Sequence, residues 1–159
     1  MFDKNIKIRG QELPSSKRKQ IKKSLLDLHN LEIMAVNVYR FQISCRFPEL
    51  KVSLIAAMKN EVGHVQDYLV KLYEYEFRPA WYRWAFWLLG AVIGFGSKIS
   101  GKRTILKAGI WTESKAISHY KELLESASWD EETYQIIDQD CQDEIAHLNL
   151  WSGLLKKMA

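Results

Sequence analysis

Four glutamates, Glu32, Glu61, Glu113 and Glu144, each interrupt a run of apolar residues spaced three and four apart. The runs are Leu25, Leu28, Glu32, Ala35, Tyr39; Leu54, Met58, Glu61, Val65, Tyr68, Leu72; Leu106, Ile110, Glu113, Ile117, Tyr120, Leu124; and Ile137, Cys141, Glu144, Leu148, Trp151, Leu155. That spacing follows one face of a helix, so each carboxylate is expected to face the interior of a bundle. A carboxylate there is costly unless it is paired or bound to a cation. Four of them converging would repel one another, and a pair of metal ions removes the problem. Two of the four have a histidine three residues on, in Glu61-Val62-Gly63-His64 and Glu144-Ile145-Ala146-His147. Positions i and i+3 share a helix face, so one helix can offer an oxygen and a nitrogen to the same ion. Carboxylate and imidazole together suit iron, and manganese fits the same donors. The expected metal ligands are Glu32, Glu61, His64, Glu113, Glu144 and His147. One E-x-x-H motif alone says little. Two of them, with two further core glutamates, match the donor set of ferritin-like di-metal bundles. The competing reading makes the same residues solvated or ion-paired on stripes one position out of register.

The elements that must carry these residues can be placed from their boundaries. Residues 1–14 are polar and irregular and read as a flexible N-terminal arm, with a single domain over 15–159. The first helix is expected to begin at Ser15 or Ser16, either of which can cap it, and to end before Pro48. The second starts at Pro48 and Glu49, with proline favoured in a first turn, and closes at Arg78-Pro79. A tryptophan-rich apolar segment, 81–95, leads into a Gly/Ser/Lys connection over 94–101. A third long helix starts near Thr104. Ser128 and Glu131 form an S-x-x-E capping box for the last one. No strand-like alternation of useful length occurs. The fold class is therefore all-α: a ferritin-like four-helix bundle with an additional short apolar helix.

Composition agrees with one globular domain. Of 159 residues, 47% are hydrophobic and 26% charged, and only three are proline. The net charge of +4 is weak evidence for an anionic partner. Cys45 and Cys141 form neither a disulfide framework nor a CxxC motif, so a reducing compartment is the default. Residues 1–10 hold no apolar signal core. The apolar segment is shorter than the roughly 18–20 residues a spanning helix needs, and Arg83 interrupts it. The basic cluster Lys17, Arg18, Lys19, Lys22, Lys23 reads first as a solvated face, with a supporting role on anionic lipid as the alternative. No nucleic-acid motif accompanies it.

The stretch 78–120 resembles the demethoxyubiquinone hydroxylase family. It holds Arg78-Pro79, then Leu89-Gly90-Ala91-Val92-Ile93-Gly94-Phe95-Gly96, Gly101-Lys102, Thr112-Glu113 and His119-Tyr120. Asp143-Glu144-x-x-His147 and Glu61-x-x-His64 are similar to that family's ligand motifs, and His29, Glu32, Ala35 and Tyr39 fit its first one. Leu28, Asn30 and Leu31 depart from its usual Asn, Ala and Gly. The resemblance covers residues 20–155. It implies an O₂-dependent di-iron monooxygenase that hydroxylates the ring of a membrane polyprenyl quinone in ubiquinone biosynthesis. It implies two iron ions (Fe²⁺/Fe³⁺) as cofactor and an external reductant such as NADH. It also implies catalytic parts for His119 and Tyr120, shaping the iron pocket or relaying electrons and protons.

The residues fit a lipid-soluble substrate. Trp81, Tyr82, Trp84, Phe86 and Trp87 precede Leu88, Leu89, Val92 and Ile93, with Arg78, Arg83, Lys98, Lys102 and Arg103 around them. Such a segment suits a helix lying in a membrane interface; filling the bundle's end or a dimer interface is the plainer reading. The expected location is the cytoplasmic side of the membrane, peripherally bound, as a homodimer or in a biosynthetic complex. Alternatives are a ferroxidase, a peroxide reductase, a tRNA hydroxylase, or a non-catalytic lipid-binding scaffold. His29 is read either as support for a ligand or as a solvent-facing histidine. Tyr39 and Tyr68 are read as core residues.

Overall fold

The computed structural model describes residues 7–158, and every element in it is a helix. These are α1 (Ser15–Gln42), α2 (Pro48–Glu74), α3 (Arg83–Ser100), α4 (Lys102–Ser126) and α5 (Glu131–Lys156). Among the described residues there is no strand. Short loops make α1–α2 and α4–α5 antiparallel pairs. The two pairs touch each other, α1 to α4 and α2 to α5, more sparingly than the helices within each pair do. Together they form the expected four-helix bundle. The fifth helix, α3, lies outside it, packed along α1 and against α4.

Several boundaries differ from the expectation, each for a local reason. The additional helix is not short: α3 takes in residues 94–100, which were expected as a connection, and the link to α4 is Gly101 alone. Gly101 has φ 104° and ψ 174°, a region essentially closed to side chains, and this permits a one-residue turn. As a result α4 begins at Lys102 rather than Thr104. Helix α2 stops at Glu74, short of Arg78-Pro79. There Glu76 takes the left-handed conformation at φ 60°, and the Phe77 N–H donates back to the Leu72 carbonyl at 2.7 Å, a Schellman-type closure. The Arg18 guanidinium sits 5.0 Å over the Phe77 ring and tethers this turn to α1. Neither Ser15 nor Ser16 caps α1, since Pro14 holds the N-cap position without a side-chain bond. Helix α5 is capped by Asp130 rather than Ser128. The Thr133 N–H donates to Asp130 Oδ1 at 3.2 Å, while Trp129 is held outside the helix by its indole N–H on the Leu123 carbonyl.

The expected flexible arm is only partly described, because residues 1–6 lie outside the described residues. From Lys7 onward the chain is non-helical but anchored. Arg9 donates to Glu74, Asp130 and Glu132 at 2.7, 2.5 and 2.5 Å, and its N–H bonds the Glu74 carbonyl at 2.7 Å. Lys71 bridges Glu74 and Glu132 from beneath, at 2.8 Å to each. The segment thereby locks the end of α2 to the start of α5.

The apolar core is divided. One cluster includes Ile21, Leu25, Leu28, Tyr68, Leu72 and Ile137. A second includes Tyr39, Leu50, Leu54, Ile105, Leu106 and Trp151. The four glutamates lie between them along each helix, so two dry plugs bracket one polar layer.

Helix α3 is held by small residues. A Cβ built on Gly90 would lie 2.2 Å from the Met34 carbonyl oxygen, and one on Gly94 would lie 2.4 Å from that of Val38. The two backbones are in direct contact, and Gln42 Nε2 donates to Ser97 Oγ one turn further on. A Gly94→Ala variant must push α3 off α1 and is expected to lose about 1–3 kcal/mol, read as a lower urea midpoint. Gly96→Ala, where nothing lies within 4 Å, should be neutral or gain up to about 1 kcal/mol from helix propensity.

Candidate metal centre

The register of the four helices brings all six expected ligands into one layer. Glu32 comes from α1, Glu61 and His64 from α2, Glu113 from α4, and Glu144 and His147 from α5. The glutamates are 0–1% exposed. Their ligand atoms form two groups, each within 4.8 Å: Glu32, Glu61, His64, Glu144, and Glu61, Glu113, Glu144, His147. Glu61 and Glu144 belong to both. The layout is therefore two adjacent cation positions with two shared carboxylates between them and one terminal carboxylate and one histidine on each. His64 Nδ1 lies 3.0 Å from Glu144 Oε1 and 3.6 Å from Glu61 Oε2. His147 Nδ1 lies 3.1 Å from Glu61 Oε1 and 3.5 Å from Glu144 Oε2. Each imidazole thus meets the shared glutamate of the opposite helix pair.

The donor atoms are those left without a protein partner. Both oxygens of Glu61, both of Glu144, Glu113 Oε2, His64 Nδ1 and His147 Nδ1 are buried and make no hydrogen bond. Unmet buried polar atoms are rare in native proteins; seven of them converging on one point fit a cation pair. The layer's electrostatics agree. Burial, with neighbouring carboxylates adding, pushes Glu32 and Glu113 well above the usual carboxylate range. Burial opposes ionisation of Glu144 too, but the adjacent His147 and His64 rings hold it down to about 2. Burial works against protonation of both histidines, yet contacts with the glutamates raise His64 strongly and His147 to about 9. Without metal, protons on the histidines and on two glutamates offset the clustered charge.

Supporting side chains around the layer are less visible in the sequence. The Tyr120 hydroxyl donates to Glu32 Oε1 at 2.6 Å and accepts from the Tyr68 hydroxyl at 3.0 Å. The Tyr39 hydroxyl donates to Glu113, and the Trp151 indole N–H donates to Tyr39 Oη at 3.0 Å. Tyr39 and Tyr68 are fully buried, as core residues should be, but their hydroxyls join the polar layer. The signal for these contacts is a fixed step: Tyr39, Tyr68, Tyr120 and Trp151 each stand seven residues, two helical turns, after a ligand-type glutamate. On its outer side His64 Nε2 faces Asp143 Oδ2 at 3.4 Å and Asp140 Oδ1 at 3.6 Å, and Asn60 donates to Asp143 at 3.1 Å. A carboxylate behind an imidazole fixes which nitrogen carries the proton, leaving Nδ1 free for a cation.

Two expected residues stand elsewhere. His119 is half-buried and outside both ligand groups, with Nε2 unpartnered, so only Tyr120 of that pair reaches a glutamate. His29 is buried, not solvent-facing. Among the described residues no hydrogen bond or ion pair joins it to a ligand; Arg83 at the start of α3 is its charged neighbour, and burial with that charge lowers its pKa to about 4.

A small cavity of about 40 Å³ opens on the layer from the α1–α4 seam, walled by Leu31, Met34, Ala35, Thr112, Lys115 and Ala116 over Glu32, Glu113 and Glu144. It approaches from the side opposite the histidine-bearing helices.

A family model described as ubiquinone biosynthesis protein COQ7 matches residues 21–152. That span holds all four glutamates and both histidines of the layer. No curated protein matches the chain.

Cation binding must displace protons from raised groups such as His147, so binding is expected to release protons and strengthen as pH rises toward about 9. Calorimetry of manganese binding in two buffers of different ionisation enthalpy checks this. Binding with no proton release would show that the layer is not the site.

Proposed function

Because the chain belongs to the ubiquinone biosynthesis protein COQ7 family, a family of ferritin-like hydroxylases, we propose that it is a di-iron, O₂-dependent monooxygenase acting on the ring of a polyprenyl quinone of demethoxyubiquinone type. The observation that carries this reading is the pair of ligand groups sharing Glu61 and Glu144. Glu32, Glu61, His64, Glu113, Glu144 and His147 would hold two irons. Bound there, iron supplies the reduction and activation of O₂, with one oxygen atom entering the ring and the other leaving as water on electrons from an external reductant such as NADH.

The protein's own part is geometry and dryness. Tyr120 and Tyr39 orient the two terminal glutamates by donating a hydrogen bond to each. Asp143 and Asp140 hold the His64 ring. The apolar clusters on both sides of the layer exclude water, which strengthens every charge interaction inside. The α1–α4 cavity, at about 40 Å³, holds little more than a water, so a ring would enter over Glu32 and Glu113 only once the wall at Leu31 and Met34 moved aside. His119, outside the ligand layer, is best read as support for the α4 segment that presents Tyr120.

A lipid-soluble substrate is supported by α3. Gly90, Ala91, Gly94 and Ser97 are its buried residues. The opposite face exposes Trp84, Leu88, Val92, Phe95 and Ile99, at 48–61%. Among the described residues no helix is long and apolar enough to cross a membrane. An apolar face of this extent, with Arg83, Lys98 and Lys102 around it, suits a helix resting in a bilayer surface. The protein would then draw its quinone from the membrane without passing it through water. This apolar outer face favours an organic lipid substrate over oxidation of iron itself.

The test is turnover of a demethoxyquinone in vesicles under isotopically labelled O₂, with label expected in the new ring hydroxyl. Ala116→Phe should fill the cavity and cut turnover by about a hundredfold with metal content unchanged. Unlabelled product, or full turnover in that variant, would contradict the reading.

A further inference from the structure

A second and larger recess lies on the other side of α1, and no part of the proposed reaction uses it. It forms where α1, α2 and the first turns of α3 meet, and its volume is about 510 Å³. That is within the roughly 300–1,000 Å³ of sites that bury small organic ligands. Val36, Val62, Val65, Trp84 and Trp87 make its wall apolar. Arg40 and Arg83 also line it, no acidic residue does, and among the described residues the arginines paired with carboxylates are Arg9 and Arg18 instead. Two positive charges thus stand on an apolar groove without counter-charge. Asn37 adds an unmet acceptor. It is 4% exposed, its amide donates to the Ile33 carbonyl at 2.7 Å, and that bond fixes the amide's orientation and leaves Oδ1 without a partner.

We infer that this groove binds one anionic phospholipid. The phosphate is held by Arg40 and Arg83, whose planar forks suit phosphate oxygens. Asn37 Oδ1 is sealed beneath the groove, and an acyl chain lies along the valines and tryptophans. Trp84 and Trp87 belong both to the groove and to the exposed face of α3, so a lipid can enter sideways from a bilayer lying against that face. The inference rests on the membrane-facing reading of α3. It adds a defined site to what would otherwise be a non-specific apolar contact, and this site sets how the bundle is oriented on the surface.

The experiment uses the full chain with its metal, mixed with vesicles of phosphatidylcholine alone or with added phosphatidylglycerol. Co-sedimentation is measured first, then the lipid retained per chain by native mass spectrometry after detergent release. Wild type is expected to retain one phosphatidylglycerol and no phosphatidylcholine. R40Q/R83Q should lose retention by roughly tenfold or more while still co-sedimenting through α3. R40K/R83K should keep part of it and shows that the groove is intact, and K19Q/K22Q/K23Q should keep all of it. Equal retention by wild type and R40Q/R83Q, or of both lipids, would overturn the site while leaving the membrane reading in place. Failure of wild type to sediment with either vesicle would overturn both.

Discussion

The constraint on which this structure depends is the placement of four glutamates in one dry layer. Unit charges a few ångströms apart in a medium of low dielectric interact by several kcal/mol, and among the described residues only histidines stand within ion-pair distance of these glutamates. Two histidines and the hydroxyls of Tyr39 and Tyr120 are the donors provided. They leave most ligand oxygens unmet, so the sequence keeps a high-energy cluster that a cation pair would resolve. The rest of the bundle serves this layer. The apolar clusters on either side keep it dry. The Arg9 network fixes the ends of α2 and α5, which bear the two E-x-x-H motifs.

The layer has an internal two-fold pattern. Helices α1 and α4 each give one glutamate, followed two turns later by a tyrosine that reaches across to the other's glutamate. Helices α2 and α5 each give a Glu-His pair. The pattern breaks outside the layer. Asp140 and Asp143 stand behind His64, whereas His147 is the more exposed of the two, at 12%. Helix α3 breaks it further, since it packs along α1 and against α4. One side of the bundle thereby gains the apolar outer surface of α3.

Much of this was legible in the sequence because it depends on helical periodicity. Glu32, Glu61, Glu113 and Glu144 interrupt stripes that only a helix makes continuous, and the E-x-x-H spacing puts two donors on one face whatever the tertiary fold. The tyrosine contacts were equally encoded, at a constant step of seven, but a buried tyrosine looks the same in sequence whether its hydroxyl has a partner or not. Helix ends were read less well. Ser128 satisfies a capping box, yet Asp130 wins because it also accepts from Tyr75 and Arg9, partners far away in the chain. Residues 94–100 look like a loop because they are rich in glycine and serine. Their small size is what lets α3 lie against the α1 backbone, a reason that exists only once the helices are packed. His29 was ambiguous for the same cause: its stripe position does not reveal that α3 covers it.

The most direct test of the account is the metal content of the protein after anaerobic loading with ferrous iron, beside Glu61→Ala. Glu61 is shared by both ligand groups, so its loss should empty both positions. The variant should still fold, because it removes one charge from a crowded layer. About two irons per wild-type chain, with fewer than one in a folded variant, is the predicted result. A folded wild type that takes up no stoichiometric metal, or a variant that binds as much as wild type, would contradict it.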